Sequence, residues 1–352
     1  MVRLALLAIL LLCRLSAAER TGVQLLREDD AWLRSATGEE QLANLLTFQT
    51  PAGGWCKAFD ARRPRDPGDG PDGFGAWHGT PTIDNGATHS EIRLLARAAT
   101  VSGRPEYRQA CLRGLRFLLE RQYTNGGWPQ RSPLEPGDHG YGVQITCNDH
   151  AMAEVLALMH DIADPAHPVF AWVAEEDRRA AAAAFERGID CLLRCQVVLG
   201  GEPTAWCQQH DATTLVPVAA RAYELPCLAG SESARIAVLL MRLERPDARI
   251  RRAVDAAQRW FLASRITGHR LREQDGDRVL VEDAAAPALW ARCYDLDSGR
   301  PFFCDRDGVK RWSLAEISRE RRTGYAWYGT WGEQVLREHP RWLARVGAAP
   351  AP

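Results

Sequence analysis

Residues 86–102, GATHSEIRLLARAATVS, and residues 105–122, PEYRQACLRGLRFLLERQ, decide the fold. In the first, Ile92, Leu94, Leu95 and Ala98 recur at helix-face spacing. In the second, Tyr107, Cys111, Leu112, Leu115, Leu118 and Leu119 fall on one stripe. Outward from this pair the same period returns. Met152, Val155, Leu156 and Met159 share a face in residues 148–160, and residues 176–196, 231–243 and 249–264 repeat the pattern. Strand-type alternation is scarce and short, as in Arg278-Val279-Leu280-Val281. The chain reads as mainly α.

Long loops rich in Gly, Pro and Asp separate the helices, over residues 51–81 and 123–147. Each contains a Gly-Gly-Trp, at Gly53-Gly54-Trp55 and Gly126-Gly127-Trp128. Helix pairs separated by such loops suggest an α/α toroid, in which helices stack in a ring and loops gather at one end. Loops longer than connection requires are usually functional or disordered, and their Trp, Tyr and Phe argue against disorder. The fold class expected is an α/α toroid of three helical hairpins, (α/α)3, with irregular loops forming a cleft.

The 352 residues are 46% hydrophobic and 25% charged, a globular composition with ample core. Residues 1–18 read as a secretory signal: Arg3, an apolar run from Leu4 to Leu12, and Ser16-Ala17-Ala18 before Glu19. Residues 19–346 then form one catalytic domain and 347–352 a frayed tail. A secreted protein, extracellular or periplasmic, is expected, with no membrane span. Without Arg3 and Arg14 the formal charge goes from −1 to −3, so no global basicity advertises a polyanionic partner, and no nucleic acid is expected. An acidic substrate would need a local cluster of cations. All basic residues are Arg except Lys57 and Lys310, which makes any one Arg less informative. Nine cysteines remain after Cys13 leaves, an odd number whose pairing spacing alone does not reveal.

Several segments concentrate polar groups. Thr82-Ile83-Asp84-Asn85-Gly86-Ala87-Thr88 opens a helix, where Asp84 or Asn85 is either an N-cap or a group at the rim of a cleft. Gln144 to Met152 enters another, with Thr146 or Asn148 as a cap, or Asn148 and Asp149 as oxygen donors to a hard cation. Two such residues are too few for a closed site; substrate carboxylates and water must complete it. Trp206-Cys207-Gln208-Gln209-His210-Asp211 packs coordinating side chains into a loop. Arg221 is either an ion-pair partner of Glu224 or a functional cation. Arg292, Arg306 and Arg321-Arg322 are candidates for binding anions, with Asp307 and Glu320 as competing partners.

Together and in order, these motifs resemble the pectate lyases of polysaccharide lyase family ten, from about residue 35 to 343. The matching stretches include Thr82 to Thr88, Asn125-Gly126-Gly127-Trp128-Pro129-Gln130, Ile145-Thr146 through Asn148-Asp149 to Ala151-Met152, and Trp206 to Asp211. They continue with Ala220-Arg221-Ala222-Tyr223-Glu224, Gly230-Ser231-Glu232-Ser233, Leu289-Trp290-Ala291-Arg292, Arg306-Asp307-Gly308 and Gly324 to Gly329. The resemblance implies the toroid, calcium dependence and polygalacturonate as partner; a monomer is expected. It implies that Asp84 serves metal and substrate with Asn85, that Asp149 is a calcium ligand, and that Arg221 abstracts the proton. Arg292 and Arg306 would meet substrate carboxylates. The chain departs from the family at His150, where an Asp is usual, at Cys147, where an aromatic is common, and at Cys227 and Ala229, which replace small hydroxyl residues.

The chemistry implied is β-elimination: loss of the C5 proton, α to a uronate carboxylate, and expulsion of the oxygen at C4. Neutralising that carboxylate is the main task, and calcium with planar guanidinium groups suits it. Arg as a base demands a depressed pKa or alkaline conditions. A low optimum would point instead to a carboxylate or His210. Two other readings are an inverting glycoside hydrolase using Asp84 and Asp149, and a pectin-binding protein with little or no activity.

Overall fold

The structure is a computed structural model that describes residues 20–57, 59–66, 80–132 and 140–347. The signal-peptide reading of residues 1–18 lies outside these residues, and of the expected tail only Gly347 is included. The chain begins with α1 (Gly22–Leu25), α2 (Asp30–Leu33) and α3 (Ala36–Thr47). Three hairpins follow: α4 (His89–Ser102) with α5 (Pro105–Arg121), α6 (Ala151–Ala163) with α7 (Glu175–Cys195), and α8 (Gly230–Met241) with α9 (Ala248–Ala263). Helices α10 (Arg319–Gly324) and α11 (Trp331–Gly347) complete the order. All six periodic stretches are helical, with ends within a few residues of those expected. Between α4 and α5 the punctuation is local: Gly103 takes φ +73 and its N–H bonds the Ala99 carbonyl, and Pro105 occupies the first turn of α5.

The hairpins stand side by side in two rows. Helix α6 lies between α4 and α8, and α7 between α5 and α9. Composition explains which row is inside. Helix α8 buries every residue except Arg235, and α6 buries most of its length, whereas α5, α7 and α9 bury one stripe each. The inner row is also tied by charge: Arg93 of α4 reaches Asp161 of α6 at 2.7 Å, and Arg235 of α8 reaches Glu154 of α6 at 2.6 Å. Helix α11 packs across α8 and α9. The main extended elements are a hairpin, His269–Gln274 with Asp277–Glu282, turning at Asp275-Gly276, and a small sheet that pairs Leu228–Ala229 with Cys293–Tyr294 and the latter with Pro301–Cys304.

A repeated plug organises the outer row. Trp55, Trp128, Trp206 and Trp290 are all buried, and each indole N–H donates to a carbonyl of an outer helix or its end: Leu45, Leu118, Leu192 and Phe261. Three glutamines add a second stitch. Gln49, Gln122 and Gln196 each donate to the loop just beyond and to the next outer helix, at Ala110, Ala184 and Ala253. The two Gly-Gly-Trp motifs are thus members of a four-fold series.

The glycines of that motif are required by backbone approach. Gly126 has φ +94, and a Cβ there would sit 2.0 Å from the Arg187 carbonyl oxygen. Gly200 also has positive φ, +59, but nothing lies within 4 Å of its Cβ position. Gly126→Ala is expected to cost about 3 kcal/mol or more, strain plus clash, and Gly200→Ala only about 1. Urea unfolding of the two variants checks this; equal losses would show that the loop yields and that the plug does not fix it.

Candidate active site

The residues two positions after the four tryptophans are Lys57, Gln130, Gln208 and Arg292. Three of them meet the irregular turns that open the inner helices. The first turn is a single 3-10 turn, Asp84–Gly86, with Asn85 at φ +50. Asp84 is buried, pairs with the Lys57 ammonium, and leaves Oδ1 buried without a hydrogen-bond partner. Thr88 holds φ +67, an outlier for a β-branched residue; its Oγ1 accepts from Trp55 N–H at 3.0 Å and donates to the Thr82 carbonyl at 2.8 Å. The second turn, Asn148–His150, carries Asp149 at φ +48 and His150 at φ +68. The two turns are neighbours. Neither acts as a side-chain cap: α4 starts from Thr88 and α6 from His150, both without a capping side-chain bond. The capping alternative for Asp84, Asn85, Thr146 and Asn148 is therefore corrected. Strained backbone here aims side chains instead of ending helices.

From the second turn a polar chain runs through the protein. Arg292 Nη2 donates to Asp149 Oδ1 at 3.1 Å, to Asn148 Oδ1 at 3.2 Å and to Glu232 Oε1. Gln208 Nε2 donates to Asn148 Oδ1 at 3.0 Å and to the Tyr325 hydroxyl at 2.8 Å. Tyr325 in turn donates to Glu224 Oε1 at 3.0 Å, and Glu224 receives Arg221 through Nε at 2.7 Å and through Nη2. Burial pushes the Tyr325 pKa up, which keeps it a donor. Arg292 is buried, and burial works against its charge, but Glu232, then Tyr325 and Asp149, outweigh it and its pKa rises. The same contest at Arg221, burial against the hydrogen-bonded Glu224, also ends above the ordinary guanidinium value.

Tyr223 gathers the remaining cations. Its ring lies 4.4 Å from the Arg321 guanidinium carbon, 4.9 Å from that of Arg221 and 5.8 Å from that of Arg306. Arg306 and Arg321 share Glu320, whose carboxyl is held at about 2 by hydrogen bonds from Arg321 and then Arg306. Arg322 pairs with Asp277. The side chains of Arg306 and Arg221 are 65% and 40% exposed and Arg292 only 6%, so the first two face an incoming anion more openly.

His210 has no free nitrogen. Its Nε2 accepts from the Cys207 N–H at 3.2 Å, which leaves Nδ1–H to donate to the Leu215 carbonyl at 2.9 Å, and burial holds its pKa at about 4. The alternative of His210 as base is thereby removed. The ion pair expected between Arg221 and Glu224 is present; Gln208, Tyr223, Glu232 and Tyr325 lie in the matching motifs but carry no role on sequence grounds, and Lys57 lies outside those motifs. Lys57 had a signal, being one of two lysines among 44 basic residues, but Lys310 shares that signal and pairs with Asp295.

Among the described residues no three His, Cys, Asp or Glu side chains converge as a metal site. What the turns offer is partial: the unpartnered Oδ1 of Asp84 and the carboxylate of Asp149, 35% exposed. These are hard oxygen donors, and they fit an open calcium site whose other ligands come from substrate and water.

The family model described as pectic acid lyase matches residues 49–336. No curated protein matches the chain. Among solved structures, the family 10 polysaccharide lyase of Cellvibrio cellulosa is 32% identical with a TM-score of 0.77, over 90% of this chain and 95% of that one. An alanine mutant of a family 10 polysaccharide lyase from the same organism, in complex with trigalacturonic acid, is 31% identical with a TM-score of 0.76, over 92% and 99%.

Proposed function

The chain belongs to the pectic acid lyase family and is a pectate lyase, and from that premise we propose that it cleaves α-1,4-polygalacturonate by β-elimination at the array running from Asp149 to Arg221. The observation that carries this is the continuity of the array. Asp149, Arg292, Glu232, Gln208, Tyr325, Glu224 and Arg221 form one hydrogen-bonded series beside the Asp84 turn. The relative's complex with trigalacturonic acid supports an oligogalacturonate in this cleft. We also read the two-rowed hairpin array as part of an α/α toroid, and the apolar N-terminus as an export signal.

In this reading Asp84 and Asp149 hold calcium, which when bound supplies the positive charge that acidifies the C5 proton of the uronate. Arg292 fixes the Asp149 carboxylate from behind. Asn85, at the rim, and Arg306, exposed over Tyr223, bind and orient the uronate. Arg221 takes the C5 proton at a guanidinium nitrogen that Glu224 aims. Glu224 also holds Arg221 protonated, so the free protein has its base in the wrong state at neutral pH. Proton abstraction requires nearby cations or alkaline pH to offset the hold that Glu224 has on the Arg221 proton.

Polygalacturonate incubated with the protein at alkaline pH tests the reaction by near-ultraviolet absorbance. A rise that a chelator suppresses and calcium restores is expected. New reducing ends without absorbance would mean hydrolysis by Asp84 and Asp149, and binding without either would leave a pectin-binding protein. Asp149→Asn is expected to raise the calcium needed for half-maximal rate by about 10–100-fold; an unchanged calcium curve would remove Asp149 from the metal.

A further inference from the structure

All nine cysteines among the described residues are buried. Two of them, Cys227 and Cys293, come together from separate segments of the chain. Their sulfurs lie 2.7 Å apart. Two unbonded thiols stand well outside that separation, because their van der Waals surfaces meet farther out, whereas a covalent S–S bond is about 2.05 Å. The backbone sets them on neighbouring segments of one sheet. Leu228–Ala229 pairs antiparallel with Cys293–Tyr294, with Ala229 opposite Cys293, so Cys227 is the diagonal cross-strand neighbour of Cys293. The backbone N–H of Cys227 also donates to Cys207 Sγ at 3.5 Å, which places a third sulfur close by.

We propose that Cys227 and Cys293 are joined by a disulfide directly beneath the catalytic array. Cys227 stands five residues before Glu232, and Cys293 follows Arg292. The bond therefore ties the two segments that carry the buried Glu232–Arg292 pair. A pair of buried opposite charges is stable only while its partners stay together, and a covalent tie beside both enforces that. Formation is thiol–disulfide exchange with an oxidised dithiol protein or a low-molecular-weight disulfide. One thiolate attacks the donor disulfide, the second displaces the mixed disulfide, and the donor leaves as two thiols that carry the two electrons and two protons. Because both sulfurs are buried, exchange takes place during folding, and Cys207 remains a thiol.

The test is alkylation of the protein, secreted or refolded with a glutathione redox pair, in denaturant without reductant, followed by intact mass and peptide mapping. Two fewer labels than after reduction, and one cross-linked peptide containing Cys227 and Cys293, are expected. Full labelling of every cysteine, or a cross-link of Cys227 to Cys207, would overturn the proposal. Mapping uses the native sequence, so the result does not depend on a variant folding. Cys207→Ser is expected to retain the cross-link. The double variant Cys227→Ser, Cys293→Ser is expected to melt lower by about 5 °C; an unchanged melting temperature would show that the bond does not hold the array.

Discussion

Arg221→Ala is expected to lower kcat for polygalacturonate elimination by a factor of about 10²–10⁴, the range lost when a positioned proton acceptor is removed. KM is expected to change far less, because Arg306 and Asn85 remain to bind the uronate. The measurement is the initial rise in near-ultraviolet absorbance under saturating calcium across an alkaline pH series. Arg221→Lys separates charge from geometry. It keeps a cation but loses the planar fork that meets Glu224 through two nitrogens, and it is expected to be nearly as slow as the alanine variant. Glu224→Gln gives the test its sign. In the native protein Glu224 overcomes burial and raises the Arg221 pKa. Neutralising it lowers that pKa, enlarges the neutral fraction of Arg221 at any given pH, and moves the ascending limb of the pH–rate profile to lower pH. A profile that stays in place while only KM rises would mean that Arg221 binds the substrate and that another group takes the proton.

The asymmetry between what sequence showed of the helices and of the site has a physical source. Helices α4 to α9 announce themselves because each buries a continuous face at 3.6-residue spacing, and that period survives in a single sequence. Helix α3 buries Leu42 and Leu45 with Gln41 and Asn44, a mixed face that hides the stripe. The tryptophan plugs repeat in space but not at a constant interval. Trp55 and Trp128 reach back ten residues to their carbonyls, Trp206 fourteen and Trp290 twenty-nine. Insertions of unequal length in the loops conceal the series, so the sequence shows two members where the described residues hold four. The position two residues after Trp55, Trp206 and Trp290 carries Lys57, Gln208 and Arg292 into the site, and that rule becomes readable only once the series is seen. Asp84, Asp149 and Arg221 were nameable because motif order preserves them. Glu232 and Tyr325 stand in the same ordered motifs, but their roles are not legible there, since a Glu in the first turn of a helix and a Tyr among aromatics are common for structural reasons. The turns at Asn85 and Asp149 lie between these cases: their residue types suit both a cap and a left-handed bend, and only the backbone angles decide.

The largest expected loss of stability comes from the pair behind Asp149. Glu232 is fully buried and Arg292 nearly so, with Arg292 Nη2 shared among Glu232, Asp149 and Asn148. Arg292→Ala removes the cation and strands a carboxylate in the core, a change that costs about 3–5 kcal/mol. Glu232→Ala is expected to cost less, because Asp149 still faces Arg292. The double variant, with neither charge buried, is expected to recover part of the loss, and denaturant melts of the four proteins supply the coupling energy. Additive losses would mean that the two groups stabilise the fold separately. The catalytic reading adds a second requirement. If Arg292 orients Asp149, then any double variant that regains stability must still need more calcium for half-maximal rate than the native protein. Recovery of both together would make the pair a packing element and leave Asp149 to hold its own geometry; recovery of stability alone would show that a buried ion pair, costly to desolvate, is retained here for the position it gives a carboxylate at the mouth of the site.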